Sequence, residues 1–472
     1  MLAAPEIMLQ HLAKLRAFYD AAPTEVNRPA HSYRGLLAHY YNLLIPANAS
    51  VLEIGCGSGE LLARLRAGRK VGIDLSPVQV AAARVRLPEA EFHVQAGELL
   101  DLTGSFDCII ISETLNFAAD VQLLLERLHR VSHADTRLIF NFHSTLWRPV
   151  LALAERLGLR AKQLQSSWLS TGDMHNLLQL ADWGQLSSQT RLLLPIRCLG
   201  AEHVLNRWLA PLVPVFCLTD FCVARPTRPH PPRALTVSVI IPARNEAGNI
   251  EAAVLRTPDM GGGTELIFVE GHSKDDTWAQ IQRVQREYPG RKIKIMQQTG
   301  KGKGDAVRLG FAAATGDVLM ILDADLTMPP EELPKFYDVL ASGHAEFANG
   351  CRLVYPMEEE AMQFLNLCAN KTFGIIFTWL LGQPVKDTLC GTKVLSRVHY
   401  EQIAANRAYF GDFDPFGDFD LLFGAAKLNL KIADVPIRYK ERTYGSTNIQ
   451  RWRHGWLLLR MVLFAARKLK FV

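Results

Sequence analysis

The sequence contains no run of about 20 uncharged apolar residues, the length that a helix needs to cross a bilayer. The nearest candidate, residues 372–385, is too short, so we expect no transmembrane helix. The N-terminus also lacks the basic and then apolar layout of a secretory signal, because Glu6 and His11 interrupt its apolar residues. These two absences predict a protein that works in the cytoplasm.

Paired cysteine motifs are missing as well. The eight cysteines show no Cys-x-x-Cys pair and no histidine at a zinc-site spacing, which argues against a structural zinc site. We expect them to be buried thiols of a reducing cytosol. The net charge of +5 is small for 472 residues, which argues against a general nucleic-acid binder but leaves room for a local basic patch.

What the sequence does contain is ordinary globular material, with 49% hydrophobic and 21% charged residues, enough for two or three domains. Residues 225–233 hold four prolines, which neither a helix nor a central strand should accept. We therefore predict four segments. They are a first domain at 1–225, an extended linker at 226–235, a second domain at 236–450 and a C-terminal helix at 451–472.

Short apolar runs alternate with helical patterns on both sides of the linker. Before it, strand-like runs lie at residues 51–54, 70–73, 106–111 and 136–140, and a helical pattern covers 121–131. After it, the alternation restarts at residues 237–241. This order predicts an α/β fold class with two Rossmann-like domains, each built on a mostly parallel sheet.

The first domain contains a glycine-rich turn between a strand and a helix. Gly55, Gly57 and Gly59 follow the run at 51–54, and Asp74 ends the next strand-like run. Such a turn lets a cofactor approach the backbone, and an acid at the next strand end can accept hydrogen bonds from ribose hydroxyls. Position 60 is Glu, where a dinucleotide fingerprint needs its third glycine. A purely structural turn is the competing interpretation.

These motifs resemble those of the class I methyltransferases that use S-adenosylmethionine (SAM), over roughly residues 35–225. The resemblance implies that Glu53 faces the methionine end of the cofactor and that Asp74 binds the ribose. It also implies that Glu98, in the Gln-Ala-Gly-Glu segment after the third strand, lies near the adenine.

Methyl transfer to a hydroxyl needs positioning and a base. Two candidates follow strand-like runs: His143, in Asn-Phe-His, and Glu113, in Ser-Glu-Thr. A hydrogen-bonded loop histidine and a solvated carboxylate are the competing interpretations.

In the second domain, an apolar run is followed directly by Asp323-Ala-Asp325. Open α/β sheets bind ligands at the C-terminal ends of their strands. Two carboxylates at this spacing can hold Mg²⁺ or Mn²⁺ while the ion neutralises a diphosphate. A helix-capping pair of acids is the alternative. The segment 300–306, Gly-Lys-Gly-Lys-Gly-Asp-Ala, lacks the Gly-Lys-Ser/Thr ending of an ATPase loop.

Residues 236–450 resemble the family 2 glycosyltransferases of GT-A fold. The resemblance makes Asp325 the principal metal ligand with Asp323 assisting beside the donor, and it places Lys303 at the diphosphate, where a solvated lysine is the alternative. The residues that it places around the nucleotide-sugar are Pro242, Asn245, Glu246, Glu270 and Asp275.

Within this family the sequence is most similar to dolichyl-phosphate mannose synthase and to bacterial polyprenyl-phosphate glycosyltransferases. The similar segments are 349–352, 386–393 and 442–448. The resemblance implies that Arg352 contacts the phosphate of an acceptor lipid, with Arg442 and Ser446 assisting. Asp418 and Asp420 occupy the region where related enzymes place a catalytic carboxylate. Asp420 is the preferred candidate, and a structural acid is the alternative.

No acidic residue follows Glu441, whereas seven basic residues do. Arg453, Arg460 and Arg467 recur every seven residues and would form one stripe on a helix, with apolar residues around them. This pattern is typical of a helix that lies in an anionic membrane surface. Packing on the protein or on a second subunit is the competing interpretation.

We therefore expect a bifunctional enzyme of glycan assembly, cytoplasmic and peripheral at the inner face of the plasma membrane. Its second half would transfer a sugar, with inversion, from a nucleotide-sugar to a polyprenyl phosphate or lipid-linked glycan, using Mg²⁺ or Mn²⁺. Its first half would methylate a hydroxyl with SAM. In the alternative, the acceptor is a polysaccharide hydroxyl and the first half is a scaffold. We expect no nucleic-acid partner, and a homo-oligomer is possible.

Overall fold

The computed structural model describes residues 6–24, 28–157, 164, 169–196, 198, 200–227, 234–354, 364–407, 419–440, 442, 444 and 451–472. The chain forms two compact units, which divide between Arg228 and Pro229. None of the helices in the described ranges is both long and apolar enough to span a bilayer.

The first unit is built on a seven-stranded sheet. Its strands are β1 (Val51–Ile54), β2 (Lys70–Asp74), β3 (Glu91–Val94), β4 (Phe106–Ser112), β5 (Ser132–His143), β6 (Trp183–Arg191) and β7 (Thr219–Pro226). The order in space is β3-β2-β1-β4-β5-β7-β6. The strands from β3 to β5 are parallel, and β7 runs antiparallel to both of its neighbours.

Eight helices accompany this sheet. They are α1 (Glu6–Asp20), α2 (Arg28–Leu44), α3 (Glu60–Arg64), α4 (Pro77–Arg86), α5 (Val121–Leu128), α6 (Arg148–Arg156), α7 (Thr171–Leu180) and α8 (Ala201–Val204). Local sequence explains where several of them begin. The Ser76 side chain accepts a hydrogen bond from the Gln79 amide and Pro77 opens α4, a serine cap followed by a proline at the first helical position.

The second unit has a sheet of the same size. Its strands are β8 (Val237–Ala243), β9 (Thr264–Glu270), β10 (Lys292–Gln297), β11 (Val318–Ile321), β12 (Phe347–Cys351), β13 (Lys393–Ser396) and β14 (Ile432–Pro436). The order is β10-β9-β8-β11-β13-β12-β14. Here β13 is the strand that runs antiparallel to its neighbours β11 and β12.

The described residues of the second unit form eight α-helices. They are α9 (Ile250–Arg256), α10 (Thr277–Glu287), α11 (Lys303–Ala313), α12 (Leu333–Ala341), α13 (Phe364–Leu381), α14 (Arg397–Ala405), α15 (Phe419–Lys427) and α16 (Arg451–Leu469). The central strands β8, β9 and β11 are buried along almost their whole length. Both of their faces are covered, which explains why they read as continuous apolar runs rather than as alternating ones.

The α/β prediction is confirmed, and both sheets are mostly parallel, each with one reversed strand. Two details differ from expectation. β7 lies between β5 and β6 yet ends in Pro226, which pairs with Trp183 at the strand's last position, where a proline is tolerated. Most described cysteines are buried, but Cys198 is exposed. Residues 228–233 of the linker lie outside the described ranges.

Candidate functional sites

The glycine turn after β1 has left-handed backbone at each of its three glycines. Gly55, Gly57 and Gly59 have φ values of 73°, 50° and 73°, a region that residues with a Cβ atom rarely adopt. A Cβ atom on Gly55 would overlap the side chain of Thr114, which follows β4. The turn therefore needs glycine for its conformation and for its close approach to the next loop along the sheet edge.

Asp74, at the end of β2, is tied to this turn. One of its carboxylate oxygens accepts from the Gly57 amide at 2.8 Å, and the other accepts from the Ser76 amide at 2.9 Å. Burial raises the pKa of Asp74 above its usual value, although these backbone donors oppose the shift. The acid thus holds the turn in shape, and its predicted contact with ribose stays a prediction.

Glu53 lies one residue before the end of β1 and is 1% exposed. Among the described residues its Oε2 atom has no hydrogen-bond partner. Burial raises the pKa of Glu53 to about 8, with a smaller opposing effect from Arg34. A buried carboxylate without a partner is costly, and the ammonium and sulfonium groups of SAM carry the charge that would complete it. The site therefore fits the predicted cofactor.

Glu98 is buried in the short 3₁₀ turn after β3. Its Oε1 atom accepts from the Ala119 amide at 2.8 Å. At least one of its oxygens is therefore used to hold the loop that precedes α5. Its predicted position near the adenine stays a prediction.

The two candidate bases of this unit lie together. His143 ends β5, Glu113 follows β4, and His143 Nε2 is 3.2 Å from Glu113 Oε1. The Tyr33 hydroxyl from α2 donates to the same oxygen. Burial opposes ionisation of Glu113, but His143 and Tyr33 outweigh it and lower the pKa of that carboxyl to about 2. The sequence predicted these two residues as alternative bases, and the structure places them in contact with each other.

In the second unit, the residues predicted to surround the nucleotide follow β8 and β9. Pro242 lies on β8 opposite Val269. Asn245 has a φ of 57°, and its side chain accepts from the Lys274 amide at 2.8 Å. This bond ties the loop after β8 to the loop after β9.

The three acids of this region differ in their partners. Glu246 is buried and accepts from Asn249 at 2.8 Å. Glu270 accepts from the Ser273 amide, and Asp275 accepts from Thr277 and from the Ala247 amide. The last two acids therefore hold the loops that would enclose a nucleoside.

The two aspartates after β11 face cations. Lys303, the first residue of α11, has its Nζ atom 2.6 Å from Asp323 Oδ1. Arg442 Nη2 lies 2.6 Å from Asp325 Oδ2, and Arg442 Nη1 lies 2.9 Å from Glu246 Oε1. The carboxylates offer the hard oxygen donors that Mg²⁺ and Mn²⁺ prefer, so the donor set fits the predicted ion.

Two further segments approach this cluster. A Cβ atom on Gly391 would overlap both Asp323 and the Lys303 ammonium, so the loop before β13 lies directly against the pair. Tyr444 lies 3.5 Å from Asp275 through its hydroxyl and packs against Gly248. The region predicted to hold the donor is therefore lined from six separate stretches of sequence.

Arg352, the predicted acceptor-phosphate ligand, follows β12 and forms a fork with Asp387. Its Nε atom is 2.7 Å from Asp387 Oδ2 and its Nη2 atom is 2.8 Å from Oδ1. The Asp387 side chain is fully buried. Burial opposes ionisation of Asp387, but Arg352 lowers its pKa below the usual value. The guanidinium thus already has one anionic partner, and its role toward an acceptor stays a prediction.

Asp420 is buried in the first turn of α15, and its Oδ2 atom lies 3.2 Å from Arg407 Nε. Asp418 and Ser446 lie outside the described residues. Sequence reasoning missed Tyr33, Arg407 and Asp387 as partners. Of these three residues, only Asp387 lies in a segment with a recognisable motif, residues 386–393.

Comparison with known proteins agrees with this geometry. Residues 52–140 match the model of a methyltransferase domain, and residues 238–403 match that of glycosyl transferase family 2. The chain therefore joins two transferase-type domains. The first unit is therefore similar to methyltransferase domains and the second to family 2 glycosyltransferases, and both are Rossmann-like α/β units.

Two relatives match the second domain. The dolichol-phosphate mannosyltransferase of Pyrococcus furiosus is 30% identical over 224 residues, which cover 46% of this chain and 60% of that protein. The undecaprenyl-phosphate 4-deoxy-4-formamido-L-arabinose transferase of Sodalis glossinidius is 33% identical over 113 residues, 23% of this chain and 34% of that protein. The chain thus spans less than two thirds of either relative.

Among solved structures, a SAM-dependent methyltransferase from Thermotoga maritima aligns with 45% of this chain and 93% of its own. It shares 17% sequence identity, with a TM-score of 0.33.

Proposed function

We propose that the second domain transfers a sugar from a nucleotide-sugar to a polyprenyl phosphate or lipid-linked glycan, and that the first domain methylates a hydroxyl with SAM. The main support for glycosyl transfer is a set of four charged side chains at the end of β11. They are Lys303, Asp323, Asp325 and Arg442. Asp323 and Asp325 would hold Mg²⁺ or Mn²⁺, which neutralises the diphosphate of the donor when bound. The similarity to a dolichol-phosphate mannosyltransferase and to an undecaprenyl-phosphate sugar transferase supports the acceptor class.

The roles of the protein's own residues follow from charge. An acceptor oxygen would attack the anomeric carbon and invert it, while the nucleoside diphosphate departs. Lys303, at the start of α11, would stabilise that diphosphate together with the helix N-terminus. Arg442, which the sequence predicted to assist at the acceptor phosphate, would instead leave Asp325 and Glu246 for the donor phosphates, because these two acids belong to the proposed donor site. A lipid phosphate is already anionic and needs no base.

The alternative acceptor, a polysaccharide hydroxyl, would need Asp420 as the base. Asp420 Oδ2 lies 3.2 Å from Arg407 Nε, so protonation of this carboxylate would weaken an existing ion pair. This pairing favours the lipid-phosphate acceptor. An Asp420→Asn variant that kept full activity would support the same choice.

SAM binding to the first domain is supported by the unpaired buried oxygen of Glu53 and by the open glycine turn. A scaffold with no cationic ligand would leave that oxygen unsatisfied, at a cost of about 1 to 3 kcal/mol or more. Calorimetry with S-adenosylhomocysteine, the demethylated product, tests this half. Absence of binding heat in the folded protein would contradict it.

Peripheral membrane placement is supported by two helices of the second unit. α16 packs against α13 with one face, which buries Met461, Val462, Ala465 and Ala466. Its other face exposes Leu459 and Leu463 beside Arg460 and Arg467. Packing on the protein therefore accounts for one face of this helix over residues 459–469, where its side chains are described. The other face keeps the apolar and basic pattern of an interfacial helix.

The deciding experiment is transfer of radiolabelled sugar from UDP-, GDP- and dTDP-sugars, with Mn²⁺, to undecaprenyl phosphate in detergent. We expect a lipid product that Asp325→Ala lowers about 100-fold or more. Asp317→Asn is the matched control, because Asp317 caps the opposite end of β11 through Thr236. Metal-independent transfer that Asp325→Ala retained would contradict the proposal.

A further inference from the structure

The dyad of His143 and Glu113 lies on the same sheet edge as the glycine turn. β1 pairs with β4, and β4 pairs with β5, so the residues after these three strands are neighbours. Thr114, next to Glu113, touches Gly55 of the turn. Catalytic groups of open α/β sheets gather at this edge, outside the carboxyl ends of the strands. The dyad therefore borders the place where the cofactor would lie.

Glu113 selects the tautomer of His143. Its ionised Oε1 atom can only accept, so His143 Nε2, 3.2 Å away, must carry the hydrogen. The lone pair of the neutral imidazole then resides on Nδ1. Within the described part of the chain, Nδ1 makes no hydrogen bond, nor is it sealed from solvent as a buried unpaired atom. The basic nitrogen is thus available to a ligand.

The backbone of Glu113 is itself unusual. Its φ of 58° lies in the left-handed region, which is strained for a residue with a long side chain. Strain of this kind persists where the surroundings enforce it, often at functional sites. Here Tyr33 and His143 hold the carboxylate from two other elements, and the Tyr33 hydroxyl also lies 3.3 Å from Thr219 Oγ1.

We propose that His143 is the general base of the methyltransferase domain, that Glu113 and Tyr33 position it, and that the acceptor is a neutral hydroxyl. The proposal rests on the proposed binding of SAM. An acceptor oxygen attacks the methyl carbon, and the sulfur–methyl bond breaks with its electron pair moving to sulfur. The hydroxyl proton passes to His143 Nδ1. The products are a methyl ether, S-adenosylhomocysteine and an imidazolium paired with Glu113.

The need for a base identifies the acceptor class. A neutral hydroxyl becomes strongly acidic as it is methylated, so proton removal in the transition state contributes typically about 10² to 10⁴-fold in rate. A carboxylate or a thiolate acceptor has no proton to lose and gains nothing from the dyad. The hydroxyls of a glycan fit this requirement, and they agree with the product proposed for the second domain.

The test uses the full-length protein and labelled SAM with three model acceptors: methyl glycosides, acetate and glutathione. We expect methylation of the glycosides, reduced about 100-fold or more by His143→Ala and partly restored by added imidazole. Glu113→Gln should lower the rate less, and imidazole should not restore it. His129→Gln is the matched control, because His129 bonds to the Ala181 carbonyl and stacks on Trp183 away from this edge.

Two further measurements distinguish a failure of this proposal from a failure of SAM binding. Calorimetry with S-adenosylhomocysteine shows whether each variant still binds the cofactor, so that loss of binding in the wild type refutes the proposed function rather than the dyad alone. Nitrogen NMR of His143 in that complex should show hydrogen on Nε2, and hydrogen on Nδ1 in the neutral ring would overturn the proposal even if no model acceptor reacts. Wild-type rates in His143→Ala would overturn it as well.

Discussion

Two buried carboxylates, one in each domain, are compensated differently. In the first, Glu53 Oε2 has no partner among the described residues, and burial raises the pKa of this group to about 8. In the second, Asp387 is just as deeply buried but is held by both arms of Arg352. Asp325, at the proposed metal site, is likewise paired with Arg442.

The difference teaches how each domain is prepared for its ligand. The first leaves its acid without a basic side chain, so a cationic ligand needs to displace only the proton that Glu53 binds. The second neutralises its acids with its own basic side chains, so a metal ion must compete with them. Three variants test this contrast. They remove the carboxylate partner of Arg352, the unpaired acid Glu53, and Arg442, which competes with the metal ion.

The largest effect is expected from Asp387→Asn. It leaves the Arg352 guanidinium buried without its carboxylate, and breaking a buried pair in this way costs about 3 to 5 kcal/mol. The free energy of opening β12 and β13, measured by hydrogen exchange, should fall by that amount while the first domain is unchanged.

The matched control for Asp387 is Glu331→Gln, which removes the exposed pair with Arg256 and should cost less than about 1 kcal/mol. Equal losses in the two variants would mean that burial does not distinguish these ion pairs.

Glu53 gives the next effect, with a pH dependence of defined sign. Its folded-state pKa of about 8 lies above the ordinary value of 4.5, so between these values the folded protein binds the proton and the unfolded chain does not. Stability of the first domain should therefore fall as pH rises from about 4.5 to 8, by on the order of 5 kcal/mol.

Glu53→Gln should flatten this dependence, as thermal melts from pH 4.5 to 8.5 would reveal. The same variant should abolish release of a proton on binding S-adenosylhomocysteine near pH 7, measured by calorimetry in buffers of different ionisation enthalpy. An unchanged pH slope in Glu53→Gln would show that another group is responsible.

The features that could be predicted from the sequence are those that depend on residues close together along the chain. The strand ends carrying Gly55 and Asp325 were found because an apolar run followed by a polar turn is a local signal. The pairing of Arg442 with Asp325 was not found, since 117 positions separate them. The same holds for Tyr33 and Glu113, 80 positions apart, and nothing local announces the left-handed backbone of Glu113.

The reversed strands β7 and β13 were also outside what sequence order could predict. Their apolar runs resemble those of the parallel strands, and direction depends on how the chain returns to the sheet. The proposed roles of Asp74, Glu98 and Glu270 are still predictions, because the hydrogen bonds seen for them would hold their loops with or without a ligand.

The smallest effect, but the most specific, is expected from Arg442→Gln. Because Arg442 Nη2 lies 2.6 Å from Asp325 and the pair is partly exposed, its removal should tighten binding of Mn²⁺ alone by several-fold, about 1 kcal/mol. Binding of the nucleotide-sugar with Mn²⁺ should weaken instead, since the guanidinium would no longer reach the diphosphate. Arg256→Gln should change neither in calorimetric titrations. Weaker binding of Mn²⁺ alone would mean that Arg442 organises Asp325 for the metal rather than competing with it, and the contrast between the two domains would fail.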